Sequence, residues 1–217
     1  MESLHKMDPI EKMEIVIKES WNIFKCKFMN ERFNVTKEAP FQHHLANIIK
    51  SVGDLYCFSR TEMFLVDLET KIDNIKQKTK FVDITCYFYK DGKVTSKGAI
   101  ELKFKKKSQG ADDFARIDSY VDIEALEKCL DYGFNVAYFG MITDNSIYTR
   151  KSAERTTGEI FSMRNGYTAP VNTPISNPNC KGRSEVVVTL KYPHEFTWNS
   201  IDMHNYLLLP VHKHSLK

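Results

Sequence analysis

The stretch FVDITCYFYKDGKVTSKGAIELKFK, residues 81–105, decides the fold. Phe81 to Tyr89 alternates apolar and polar residues with the period of a β-strand, Asp91-Gly92 is a turn signal, and Val94 to Lys105 supplies a second strand. Val82, Ile84, Cys86 and Phe88 share one face of the first strand, and Ile100, Leu102 and Phe104 share one face of the second. The opposite face carries Asp83, Thr85, Glu101, Lys103 and Lys105. Register decides whether the two acids agree. If the loop is Asp91-Gly92 alone, with its neighbours paired directly, Asp83 falls opposite Ile100 and the acids point to opposite faces. An odd-numbered loop puts them on one face, and the apolar pattern demands that register. The expectation is a three-residue turn with Gly92 left-handed and a bulge.

Working outward, Asp8-Pro9 predicts a helix start, and Ile10, Met13, Ile17, Trp21 and Phe24 follow at helical spacing. A second helix is expected over about 40–51, with Gly53 just past its end. Residues 63–68 read as a strand and 71–80 as a polar connection. Beyond the hairpin, 106–113 is a loop leading into a helix over about 114–132 that Gly133 stops. Asn135 to Thr143 is nearly all apolar and reads as a buried central strand reached by a crossover, parallel to its neighbour. Pro170, Pro174 and Pro178 mark a long loop over 164–183, and strands are expected over 185–192 and 206–211. The fold class is therefore mixed α/β, a central sheet flanked by helices.

The chain of 217 residues suits one domain, 1–217. Its 31 basic and 28 acidic residues leave a net charge of +3, so any nucleic-acid surface must come from local clustering rather than bulk charge. Five cysteines, scattered and without a Cys-x-x-Cys pair, argue against a disulfide framework or structural zinc and for a reducing, cytoplasmic setting. The first residues hold Glu2, Asp8 and Glu11 with no signal-like apolar run, and no apolar stretch is long enough for a membrane span.

Two carboxylates and a lysine on one polar sheet face suit metal-assisted phosphodiester hydrolysis. Mg²⁺ binds oxygen ligands, typically one or two carboxylates with water and phosphate, and a lysine adds local positive charge. Asp83 and Glu101-Leu102-Lys103, with seventeen residues between the acids, resemble the PD-(D/E)XK signature of restriction-endonuclease-like nucleases. The expected helix and central strand after the hairpin match that family's order, and the run Ile123-Glu124-Ala125-Leu126-Glu127 through Asp144-Asn145 is similar to its sequences. Val82 stands where the signature has proline.

The resemblance covers about 35–148. It implies a restriction-endonuclease-like core and a Mg²⁺-dependent endonuclease acting on DNA, with Mn²⁺ able to substitute. Asp83, Glu101 and Lys103 would be catalytic, with Asp83, Glu101 and Glu38 at the metal. A homodimer is the family expectation, with 1–34 and 150–217 as candidate dimer or DNA-recognition elements. Gln42, Lys105, Lys106, Arg116 and Tyr120 are candidate nucleic-acid contacts. Bland readings stand beside these: a solvated strand face with an incidental ion pair, an acid at a helix N-terminus for Glu38, and a charged edge for Lys105 and Lys106. The rival functions are a nuclease-fold binding module without cleavage and an RNA- or structure-specific nuclease.

Overall fold

The computed structural model describes residues 7–75 and 78–212. In chain order it contains α1 (Pro9–Met29), α2 (Glu38–Leu55), β1 (Glu62–Ile75), β2 (Lys78–Lys90), β3 (Lys93–Lys105), α3 (Asp112–Asp131), β4 (Val136–Thr143) and the short α4 (Thr157–Ile160). The short strands β5 (Tyr167–Thr168), β6 (Ile175–Ser176), β7 (Val187–Val188) and β8 (Glu195–Phe196) follow, then β9 (Asn199–Ile201) and β10 (His204–Val211). The fold is mixed α/β, with a six-stranded central sheet in the order β1-β2-β3-β4-β10-β9 flanked by helices. The chain forms two compact units, one of residues 1–100 and 130–137, the other of 101–129 and 138–217.

In the first unit, α1 starts where Asp8 and Pro9 predict. The Asp8 carboxylate accepts from the amides of Ile10 and Glu11 at 2.8 and 3.2 Å. Met13 and Ile17 press against Gly98, where an added Cβ would lie 3.2–3.3 Å from their side chains. Aromatic rings join the two helices, with Phe24 and Phe41 4.9 Å apart. Gly53 departs from expectation. It lies inside α2, not beyond it, because any side chain there would run into the Phe64 ring at 2.1 Å. The polar stretch over 71–80 is not a connection either. β1 and β2 extend into it, with pairing still present at Ile72↔Lys80 and Ile75↔Lys78.

The β2–β3 hairpin reaches the expected register by a different device. Its turn is two residues, with Lys90 paired to Lys93 and Tyr89 to Val94. Asp91 (φ 52°) and Gly92 (φ 72°) are both left-handed, as the tight hairpin turn matched to strand twist requires. The parity change comes one pair later. Phe88 pairs with Ser96, so Thr95 is an extra residue in β3, and its hydroxyl donates to the Phe88 carbonyl at 3.2 Å. From there the ladder runs Cys86↔Gly98, Thr85↔Ala99, Ile84↔Ile100. Val82, Ile84, Cys86, Ile100 and Leu102 are each 0% exposed, as the apolar alternation predicts.

β4, whose first two residues belong to the first unit and the rest to the second, is buried at all eight positions, as its continuous apolar sequence demands. The proline-rich stretch over 164–183 is more ordered than a loop. β5 pairs with β8, β6 with β7, and Val171 bridges Leu190. The expected strand over 185–192 shrinks to β7 and that bridge, because its amides have other acceptors. Glu124 accepts from the Thr189 amide, and Glu127 from Lys191 and Tyr192 at 2.9–3.2 Å. Glu127 also meets His194 Nε2 at 2.8 Å, and both side chains are 1% exposed. The cysteines are free thiols, three of them buried.

Candidate functional site

The sequence-derived site residues fall on elements of both units, and each group has its own surroundings. In the first unit, Asp83 is half-buried on β2. Its backbone carbonyl accepts from Gln42 Nε2 at 2.6 Å, and the same nitrogen donates to Glu69 Oε1 at 2.8 Å. Gln42 thus clips α2 to the strand at the height of Asp83. Glu38 is the first residue of α2, one turn before Gln42 and on the same helix face. Next to Asp83, the hydroxyls of Thr70 and Thr85 meet at 2.6 Å across the β1–β2 ladder.

Glu69 was not picked out from the sequence. The flanking pairs Leu68↔Ile84 and Thr70↔Val82 set it opposite Asp83. Its backbone is left-handed, with φ 51°, an uncommon conformation for a residue with a side chain. An acid that continues the polar alternation of Asp67 was the only available signal, and a strand face offers many such acids.

In the second unit, Glu101 is 3% exposed on β3. Lys103 Nζ stands 3.0 Å from Asp122 Oδ2, with side-chain exposures of 19% and 8%. The candidate lysine is therefore engaged by a carboxylate of α3. Asp122 is the second residue that the sequence reading passed over, since only tertiary structure brings α3 to this strand. Lys105 Nζ donates to the Gly110 carbonyl at 2.9 Å, and Lys106 lies over the Phe104 ring at 5.9 Å. Both remain partly exposed.

Arg116 and Tyr120 sit deeper. Tyr120 is 0% exposed, its hydroxyl donates to the Ser162 carbonyl, and burial pushes its pKa well above the ordinary value. It packs against Phe161 and Phe196 and presents no surface to a phosphate. Arg116 is 1% exposed, and its guanidinium lies 5.0 Å from the Tyr148 ring.

Among the described residues, no group of three or more His, Cys, Asp or Glu side chains comes together in a way that could hold a metal ion. No described helix is long and apolar enough to cross a membrane. No known family model matches the chain, and no solved structure matches it.

Proposed function

We propose that the chain is a divalent-metal-dependent endonuclease of restriction-endonuclease type that hydrolyses phosphodiester bonds in DNA. Asp83, Glu101 and Lys103 form its reacting centre, and a homodimer is its working form. The observation that carries this is the bulge at Thr95, which gives the ladder the parity at which Ile84 faces Ile100. Strand alternation taken outward from that pair predicts the opposite face for Asp83 on its strand and for Glu101 and Lys103 on theirs.

An aspartate and a glutamate are a sufficient donor set for Mg²⁺, which takes one or two carboxylates and fills its other positions with water and phosphate. When bound, the ion supplies an acidified water and positive charge against the phosphorus centre. The chain's own residues do the rest. Gln42 fixes the height of Asp83 by holding its carbonyl, and Glu69 adds a second carboxylate opposite it. Lys103 brings a positive charge toward the substrate phosphate, and Asp122 acts as its positioning residue.

The rival is a nuclease-fold module that binds nucleic acid without cutting it. It draws on the engagement of Lys103 by Asp122 and the burial of Glu101.

Purified protein incubated with plasmid DNA, linear DNA and RNA in Mg²⁺ or Mn²⁺ separates the two. Metal-dependent DNA cleavage is expected, reduced roughly a hundredfold or more in Asp83→Asn and Lys103→Ala. Asp122→Asn should slow cleavage less than Lys103→Ala and change its salt dependence. Absence of cleavage, together with calorimetric Mn²⁺ binding that ignores Asp83→Asn, would falsify the catalytic assignment.

A further inference from the structure

Within the second unit, a cavity of about 460 Å³ opens beside Arg116, in the size range of small-ligand pockets. Arg116, Arg150, Lys151, Ser152 and Thr156 line it, and Asp113 is the single carboxylate on its wall. Arg116 is the unusual member. Its residue is 1% exposed, and one guanidinium nitrogen, Nη2, donates to the Ile147 carbonyl. Nη1 is buried without a hydrogen-bond partner, although the carboxylates of Asp113 and Asp112 favour the charge through space. A buried donor in that condition is costly unless an acceptor completes it.

The surroundings point the same way. Arg150 and Lys151 are exposed at the rim. Arg150 donates Nε to the Ser146 carbonyl at 3.3 Å. Gly158 keeps the space open: a Cβ there would come 2.4 Å from Ser152 Oγ and 3.4 Å from Arg116 Nε. Three cationic side chains against one carboxylate on the wall, with the hydroxyls of Ser152 and Thr156 beside them, match the bidentate and charge-assisted recognition of a phosphate group.

We propose that this cavity is a phosphate-binding site, with Arg116 at its floor and Arg150 and Lys151 at its mouth. The site is separate from the Asp83, Glu101 and Lys103 assignment and does not depend on it.

The test measures binding of inorganic phosphate, a 5′-mononucleotide and a short single-stranded oligonucleotide to the full chain, by calorimetry and by thermal shift. Saturable phosphate binding is expected, weakened roughly tenfold or more in R150E/K151E, whose exposed positions leave the core intact. Arg116→Lys, which keeps the charge but loses the fork, should weaken it too; if that variant fails to fold, R150E/K151E alone decides. Tighter binding of the mononucleotide than of inorganic phosphate assigns the site to small nucleotides. Tighter binding of the oligonucleotide than of the mononucleotide assigns it to strand phosphates. Phosphate affinity unchanged in R150E/K151E, or no binding of any of the three probes at millimolar concentration, overturns the proposal.

Discussion

The β2–β3 hairpin and the segment from β5 to β8 solve the same problem, placing backbone amides, in opposite ways. In the hairpin the two strands satisfy each other, pair after pair from Lys90↔Lys93 to Ile84↔Ile100. Across 187–196 the strands are two residues each, and much of the chain hangs instead from two carboxylates on α3, Glu124 and Glu127. A ladder spreads its stability over many small bonds. An anchor concentrates it in one side chain, whose loss leaves several donors without their acceptor at once. The first arrangement writes itself into the sequence as alternation, whereas the second leaves only a glutamate in a helix.

The sharpest way to break the ladder is Ile84→Asp, which sets a carboxylate at a fully buried position paired with Ile100. An unpaired charge is held there only at a cost comparable to the stability of the whole fold. We expect no cooperative thermal transition from this variant; a native-like midpoint would mean that the Ile84–Ile100 pair does not sit in the core. Next in size is Glu127→Ala on the anchored side. Two part-buried amides and the buried His194 lose their acceptor, and roughly 2–4 kcal/mol of stability should go, read from the denaturant midpoint. Hydrogen exchange should quicken at residues 187–196 before it does in the hairpin, and uniform quickening would contradict local anchoring.

Gly53→Val is smaller. It forces a side chain against Phe64 between α2 and β1, at an expected cost of about 1–3 kcal/mol in urea unfolding. Combined with Phe64→Ala, it should cost less than the two single changes added together, the coupling expected of groups in contact.

The smallest effect is a pH dependence at Glu62, a miniature of the Glu127 anchor. Burial pushes its carboxyl up, but the amides of Phe58 and Ser59 and the Lys12 ammonium outweigh that and hold it below its ordinary value of 4.5. A depressed carboxyl stabilises the fold above its unfolded pKa, and that contribution is lost as pH falls through the folded value. Wild type should therefore lose stability on acidification below about 4.5 more steeply than Glu62→Gln; parallel curves would remove Glu62 from the account.

The same contrast governs what the sequence discloses. The long helices, the hairpin and β4 are legible because their apolar residues repeat at 3.6 or 2, or run unbroken, and because Asp8, Gly92 and Gly133 punctuate them. The parity of the hairpin is legible for the same reason, yet its mechanism is not. Nothing about Thr95 distinguishes a bulge residue from a paired one. Gly53 misleads because a glycine near a helix end reads as a stop when it serves a close approach to Phe64. At the candidate site, Asp83, Glu101 and Lys103 stand out by pattern. Their neighbours Glu69 and Asp122 do not, since one depends on a left-handed backbone and the other on a helix returning to a strand. The buried cation at Arg116 is likewise invisible in a sequence that gives it the spacing of an ordinary surface position.

The displaced bulge has a practical consequence. Because the extra residue is Thr95, inside β3, the tip keeps a regular two-residue turn, and turn and bulge together align the deeper residues. The tip is tied to the start of β1 by the Asp91 amide, which donates to the Thr61 carbonyl at 3.2 Å, yet its side chains are open: nothing lies within 4 Å of a Cβ added at Gly92, and Lys90 to Thr95 are exposed. A fluorophore or spin label attached through Lys93→Cys, whose backbone is not left-handed, would report on whatever approaches the sheet's end while leaving the polar face in its native frame.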